Sequence, residues 1–556
     1  MTQFLELAQV LDRISQTSSR TEKVNLIAEF LRNTSHDDMR SATLFLAGRV
    51  FAECDPRALN ISWSGLVGSL RQLVDYSQKD FDKVYKGDTG DAVASLLGLM
   101  RVTRQEVLET EPLSIGRTAS TFAAIASASG QGSRKKKETL MVRMLSEATP
   151  REAKYLVALL LSDTRTGVSE GLVAEGIAAA FMIGPVTVRR AWSLTGDLGE
   201  VAALASVGGK DELDRVSMVL FRPVKPMLAT QATDLRELIN SIGVPVALEL
   251  KLDGARVQVH SDGQQVRLYS RSLTDVTDSL PDVAQAVRNE VSSKQAILDG
   301  EVIAIDPQGT PYLFQAVMTR FGRVQDVESK LKQTKLELRL FDVLMEGGKA
   351  FVDRPYAERR TVLEQIAPPD MIVERLVTSS DSEAERFFER SLQLGHEGLM
   401  VKKLDSTYVP GLRGKTWFKI KHTITLDMVI VGAEWGYGRR SKWLSDYHLA
   451  IRNEETDDYV MIGKTFKGLT DPEFESMTKR LLDIQTGKEG RVIKVRPEIV
   501  VEVLVSEIQE SPTYDGGMTL RFARIARIRD DKRPEDATTL VELRRLYEAR
   551  LQYKAT

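Results

Sequence analysis

The chain has 556 residues, 42% hydrophobic and 28% charged, with 76 Lys and Arg against 78 Asp and Glu. These proportions exclude wholesale disorder and a fibrous repeat, and the balanced charge means that any nucleic-acid-binding surface must be concentrated locally. A single cysteine, Cys54, excludes an internal disulfide and any multi-cysteine metal site.

The length suits roughly three domains. No apolar run approaches the roughly twenty residues of a membrane span, and the start, MTQFLELAQVLDRISQ, lacks a signal-peptide layout, so no membrane partner and a cytoplasmic location are expected. Over residues 1–215 the apolar residues recur at helical spacing, as in TEKVNLIAEFLRN and REAKYLVALLLSD, which predicts an all-α domain. MRSATLFLAG at 39–48 resembles REAKYLVALLL at 151–161, and GDTGDAVASL at 87–96 echoes GDLGEVAALA at 196–205, so two related halves are expected. GQGSRKKKE at 130–138 reads as a solvated loop or, functionally, as a phosphate-binding loop on flexible backbone.

Around Phe221 the pattern turns to short alternating runs such as VALELKLDGARVQVHSDGQQVRLYSR, with helical stretches at 281–294, 353–367 and 380–395. Residues 222–424 therefore read as an α+β domain. Short strands resume over 425–556, interrupted by DPEFESMTKRLLDI at 471–484, and predict a compact β-barrel.

The candidate chemistry centres on Glu249-Leu-Lys251-Leu-Asp253-Gly254-Ala-Arg256, where a lysine ends an alternating strand just before an Asp-Gly turn. Further segments follow in order. They are Tyr269-Ser270-Arg271, Leu298-Asp299-Gly300-Glu301, Leu340-Phe341-Asp342-Val343, Glu397-Gly398-Leu-Met400-Val-Lys402 and Lys415-Thr-Trp417-Phe-Lys419-Ile-Lys421. Alternation puts Lys419 and Lys421 on one strand face. Each segment has a dull alternative: Phe341 as core, Glu301 as turn, the lysines as a solvated face. Together they describe a nucleoside polyphosphate pocket, with cations for phosphate, carboxylates for a divalent metal or ribose, and an aromatic for stacking. No Gly-rich phosphate loop is present, so side chains must hold the phosphates.

This ordered set resembles the motifs of the covalent nucleotidyltransferase superfamily of DNA ligases, RNA ligases and capping enzymes. The C-terminal LRFARIARIRDDK at 520–532, continuing through Thr539, is similar to the last motif of archaeal and eukaryotic ATP-dependent DNA ligases. The resemblance implies a helical DNA-binding domain, a nucleotidyltransferase domain and an OB-fold. It implies Lys251 as the nucleophile that takes AMP from ATP, with neighbouring cations lowering its pKa. Glu249 is implied to read adenine and Phe341 to stack on it, with Arg256 and Glu301 on the ribose side. Arg271, Arg413, Lys419 and Lys421 would hold phosphate, Glu397 with Glu301 would ligate Mg2+ or its substitute Mn2+, and Arg529 and Lys532 would orient pyrophosphate after the barrel swings about 421–427. Ser272 departs from the asparagine usual after the arginine of the second motif, which touches nick placement more than adenylation.

The implied partner is nicked double-stranded DNA bound by a monomer through backbone shape and minor groove. A sliding-clamp motif is not evident. The 221 residues before the central domain weigh against a capping enzyme, and the lone cysteine excludes the zinc module of the NAD-dependent ligases. A catalytically silent DNA-binding relative would have no reason to retain nucleophile, carboxylates and phosphate-binding lysines together.

Overall fold

In a computed structural model, the structure describes residues 1–85, 87–99, 112–164, 166–306, 311–312, 317–321, 335–421 and 424–555. Helices α1 (Phe4–Gln16) to α12 (Leu198–Asp214) occupy the N-terminal region. Their starts follow from local chemistry: Ser19, Ser77, Thr149, Ser169 and Asp197 each accept a hydrogen bond from the free backbone N–H three residues on. Their apolar faces merge in one core around Leu7, Phe45, Phe122 and Leu156.

The sequence echoes correspond to structure. Helix α3 (His36–Leu46) packs on α12, and α9 (Pro150–Leu160) packs on α6 (Thr89–Leu99). A Cβ at Gly90 would lie 2.6 Å from the Lys154 carbonyl oxygen, and one at Gly199 would lie 2.4 Å from that of Arg40. Both close helix crossings thus depend on a glycine at the same place in the repeat. The two matching helices also end alike, Arg49 N–H donating to Leu44 O and Asp163 N–H to Ala158 O, each at 2.9 Å.

The basic stretch 130–138 is corrected. Only 130–132 is a turn; α8 (Ser133–Glu147) starts after Gly132, whose φ of 81° is left-handed. Arg, Lys and Glu are good helix formers, and the buried Met141, Met144 and Leu145 draw the segment onto the core.

The central region has two five-stranded sheets. One runs β1 (Leu228–Ala232), β10 (Arg413–Lys421), β9 (Gly398–Lys403), β2 (Val246–Lys251), β8 (Arg375–Thr378). The other runs β4 (Val266–Ser270), β3 (Ala255–Ser261), β5 (Ala296–Ile305), β6 (Lys335–Glu346), β7 (Lys349–Ala350). The turn 252–254 joins them, so Lys251 ends a strand of one sheet while Arg256 lies on the other. Gly254 is needed there because a Cβ would sit 2.3 Å from the Val302 carbonyl oxygen of β5. Helices α13 (Leu235–Ile242), α14 (Pro281–Glu290), α15 (Tyr356–Ile366) and α16 (Asp381–Gln393) pack around the sheets.

The C-terminal region is built on β11 (Ile424–Trp435), long enough to take two partners on one edge. Residues 424–429 pair with β16 (Val500–Val505) and 432–434 with β15 (Val492–Val495), while β12 (Leu444–Asn453) covers the other edge. The sheet therefore forks and curls into a half-barrel around Met428, Leu449 and Val503, with α17 (Asp471–Asp483) adding Phe474 and Leu481 to the core. Within the pivot expected at 421–427, Lys421 pairs with Gly398, and β11 is paired with β16 from Ile424 on. Ladder hydrogen bonds hold those backbones; residues 422–423 lie outside the described residues.

Candidate active site

Between the two central sheets lies a cavity of about 380 Å³, within the usual range for small-molecule sites. Its wall brings together Glu249, Lys251, Arg256, Arg271, Glu301, Phe341, Arg413 and Lys419, residues spread over 171 positions of sequence (419 − 249 + 1). Glu397 and Lys421 join them through Lys251. The Glu397 carboxylate pairs with the Lys251 amine through one oxygen and accepts from Lys421 Nζ at 2.7 Å through the other. The arrangement is enforced by register, since Lys251 lies opposite Gly398 and Gly398 opposite Lys421.

The electrostatics of this cluster are mixed. Burial alone would push the Lys251 amine down, but Glu397, Glu301 and Asp253 outweigh it and hold the amine above the ordinary lysine value. The expectation that neighbouring cations lower the Lys251 pKa is thus corrected, because the nearest charges are carboxylates. Burial would raise Glu397, yet Lys251 and Lys421 bring it down to about 2. Burial dominates at Glu301 and raises it to about 7 despite Lys251 and Arg256. Lys419 is pushed down by burial and by Lys421, Lys251 and Arg413. Among the described residues Arg271, Arg413 and Lys419 form no ion pair. The cavity therefore presents uncompensated positive charge beside the Lys251–Glu397 pair.

Two wall residues are held by partners that the sequence did not single out. Arg256 is gripped by Asp299 at 3.0 and 2.6 Å, donates to Met227 O at 2.7 Å and to Tyr408 OH at 3.3 Å. One of its five N–H groups stays available to a ligand. Glu249, 1% exposed, receives the Tyr356 hydroxyl, Arg360 Nη1 at 3.3 Å and Lys402 Nζ at 2.6 Å. Phe341 lies beneath the Arg256 guanidinium at 5.4 Å and edge-on to Trp417. Asp299 and Lys402 stood inside quoted motifs without a role. Tyr356, Arg360 and Tyr408 carried no sequence signal, since their contacts span more than a hundred residues.

The last motif is elsewhere. Lys532 Nζ binds Asp427 at 2.6 Å, and Arg529 pairs with Asp427, Glu502 and Asp531 at 3.1, 3.2 and 2.7 Å. Neither residue is among the cavity walls in this arrangement. Ser272, the departure in the second motif, turns its hydroxyl to Ser270 at 3.0 Å.

A cation-rich aromatic surface lies on the half-barrel. Phe466 and Phe522 are 55% and 59% exposed. Their loops are joined by Ile525 N–H to Lys467 O at 3.0 Å and Thr465 Oγ1 to Ala523 O at 2.7 Å. Lys467 Nζ lies 5.3 and 6.0 Å from the two ring centroids. On the helical region, Lys135 and Lys136 are exposed on the first turns of α8, while Lys137 donates to Leu59 O at 2.7 Å.

Among the described residues no helix is long and apolar enough to cross a membrane, and no three metal-ligating side chains converge.

Three family models match the chain: a DNA ligase N terminus over residues 3–178, an ATP dependent DNA ligase domain over 226–421 and an ATP dependent DNA ligase C terminal region over 440–532. The DNA ligase 1 of Korarchaeum cryptofilum is 44% identical, over 98% of both chains. The DNA ligases of Methanopyrus kandleri and Thermococcus onnurineus are 41% and 38% identical, each over 99% of both chains. The solved structure Pmar-Lig_PreS3 superposes with a TM-score of 0.57 at 16% identity, over 94% of this chain and 99% of that one, a likeness of fold.

Proposed function

Because the chain belongs to the ATP-dependent DNA ligase family, it seals nicks in DNA with ATP, and we propose that the reaction runs through an AMP carried on Lys251. The observation behind this reading is the Lys251–Glu397 pair in a cavity where, among the described residues, Arg271, Arg413 and Lys419 form no ion pair. A triphosphate supplies the missing negative charge.

In the free site Lys251 is an ammonium and cannot attack. When the site fills and Glu397 is drawn off it, the amine loses its chief support, and burial and the neighbouring Lys419 favour the neutral form against Glu301 and Asp253. The neutral amine nitrogen then bonds to the α-phosphorus, the bond to the pyrophosphate oxygen breaks with pyrophosphate leaving, and the nitrogen gives its extra proton to water. Arg271, Arg413, Lys419 and Lys421 bind the phosphates. Glu249 and Phe341 take the adenine, and Arg256 and Glu301 face the ribose. Glu397 and Glu301, whose carboxylates act on each other electrostatically across the Lys251 amine, would hold a divalent cation, since magnesium or manganese commonly takes one or two carboxylates together with phosphate oxygens. When bound, it neutralises charge developing on the phosphates.

Arg529 and Lys532 reach the leaving pyrophosphate only if the half-barrel, read here as an OB-fold, moves onto the cavity and releases Asp427. The helical region, with Lys135 and Lys136, and the Phe466–Phe522 surface then grip nicked duplex DNA without base readout. We place this monomer in the cytoplasm, serving replication, recombination and repair. The test is incubation with α-labelled ATP and magnesium without DNA, followed by denaturing separation. Label should survive in the parent and vanish in Lys251→Ala; no label in protein first stripped of AMP with pyrophosphate would refute the reading.

A further inference from the structure

We infer that Tyr356 and Arg360, on one helix outside every motif described above, set the nucleobase selectivity of the cavity by holding Glu249. The inference rests on the reading of Glu249 as the base-facing carboxylate. A carboxylate offers about four lone-pair positions. One Glu249 oxygen accepts from the Tyr356 hydroxyl and from Arg360 Nη1 at 3.3 Å; the other accepts from Lys402 Nζ at 2.6 Å. Among the described residues that leaves one position, on the oxygen that Lys402 shares, in a side chain that lines the cavity while only 1% exposed.

A single remaining acceptor position accommodates an N–H donor and rejects a carbonyl oxygen, which would meet a buried carboxylate lone pair to lone pair. The exocyclic 6-amino group of adenine is such a donor, and the 6-oxo group of guanine is not. Tyr356 and Arg360 are positioning residues here. Both are anchored: Tyr356 is fully buried at the start of α15, and Arg360 is tied to Glu364 and to Val373 O, each at 2.8 Å. Without them Lys402 alone holds the carboxylate, by one oxygen, and the other oxygen has unfilled acceptor positions that a water can satisfy.

The experiment compares covalent adenylation by ATP with nucleotidylation by purine riboside triphosphate, which lacks the 6-amino group, in the parent, Tyr356→Phe, Glu249→Gln and the double variant. The parent should prefer ATP. In Tyr356→Phe the ratio of kcat/KM values should fall about tenfold, with kcat/KM for the analogue unchanged and GTP use rising. In the Glu249→Gln background the same change should leave the ratio where it is. Equal losses with both nucleotides, keeping the ratio, would overturn the inference while leaving the proposed reaction standing. A parent that takes no label from ATP would overturn both. Arg360→Lys, whose shorter reach breaks the same contact, is measured alongside and must shift the ratio too if the phenylalanine variant does not fold.

Discussion

Lys251 and Glu397 are joined twice: their side chains form an ion pair, and the backbone N–H of Glu397 donates to the Lys251 carbonyl at 2.9 Å. Strand pairing therefore holds the two backbones together, and only the side chains can part.

The first prediction separates proton affinity from catalysis. In Glu397→Gln the group that chiefly holds the Lys251 amine up is gone, so burial and the nearby lysines should make it a better nucleophile at neutral pH. Acylation of Lys251 by a small reagent, followed by peptide mass spectrometry, should speed up at least tenfold, while adenylation by ATP should fall on the order of a hundredfold. Slower acylation would contradict the charge assignment.

Glu301 makes stability depend on pH. Its carboxyl, raised by burial from 4.5 to about 7, keeps a proton in the folded chain that the unfolded chain has already lost. The folded state is therefore progressively disfavoured as pH rises through that window. Glu301→Gln should raise Tm by a few degrees at about pH 8 and by much less near pH 4, even as activity is lost. An equal gain at both pH values would mean that ionisation of Glu301 is not the cause.

Arg529 and Lys532 should matter to one step only. Alanine at either position should cut adenylation on the order of a hundredfold and leave closure of pre-adenylated nicks essentially intact. A matched loss in both steps would point instead to damage in the Asp427-centred cluster that holds them.

DNA affinity should reflect the cation and aromatic surface. Binding of nicked duplex should weaken steeply with salt, and a shallow slope would rule out contact with several phosphates. Phe466→Ala and Phe522→Ala should each weaken nick binding about tenfold, by loss of an apolar wedge against the minor groove, with adenylation unchanged, measured by fluorescence anisotropy on an internal nick.

Much of the wall of the candidate site is legible in the sequence. Lys251, Arg271, Glu301, Phe341, Arg413 and Lys419 line one cavity because each sits in a short segment whose own pattern marks strand or turn. The basic run 134–137 was misread because charge density signals solvent exposure, whereas helix formation there depends on the buried face four to eight residues on.

What the sequence by itself determined is local and chemical: helix starts, strand alternation, the glycine after Asp253, and the residue types a nucleotide requires. Only the tertiary structure decided that Lys251 is an ammonium held by Glu397 and that Glu249 is gripped by a tyrosine and an arginine from a helix a hundred residues away. It alone placed Arg529 and Lys532 on Asp427 rather than in the cavity. Protonation and hydrogen-bond satisfaction depend on which groups are brought within a few ångströms and how deeply they are buried, and neither quantity exists until distant segments have packed.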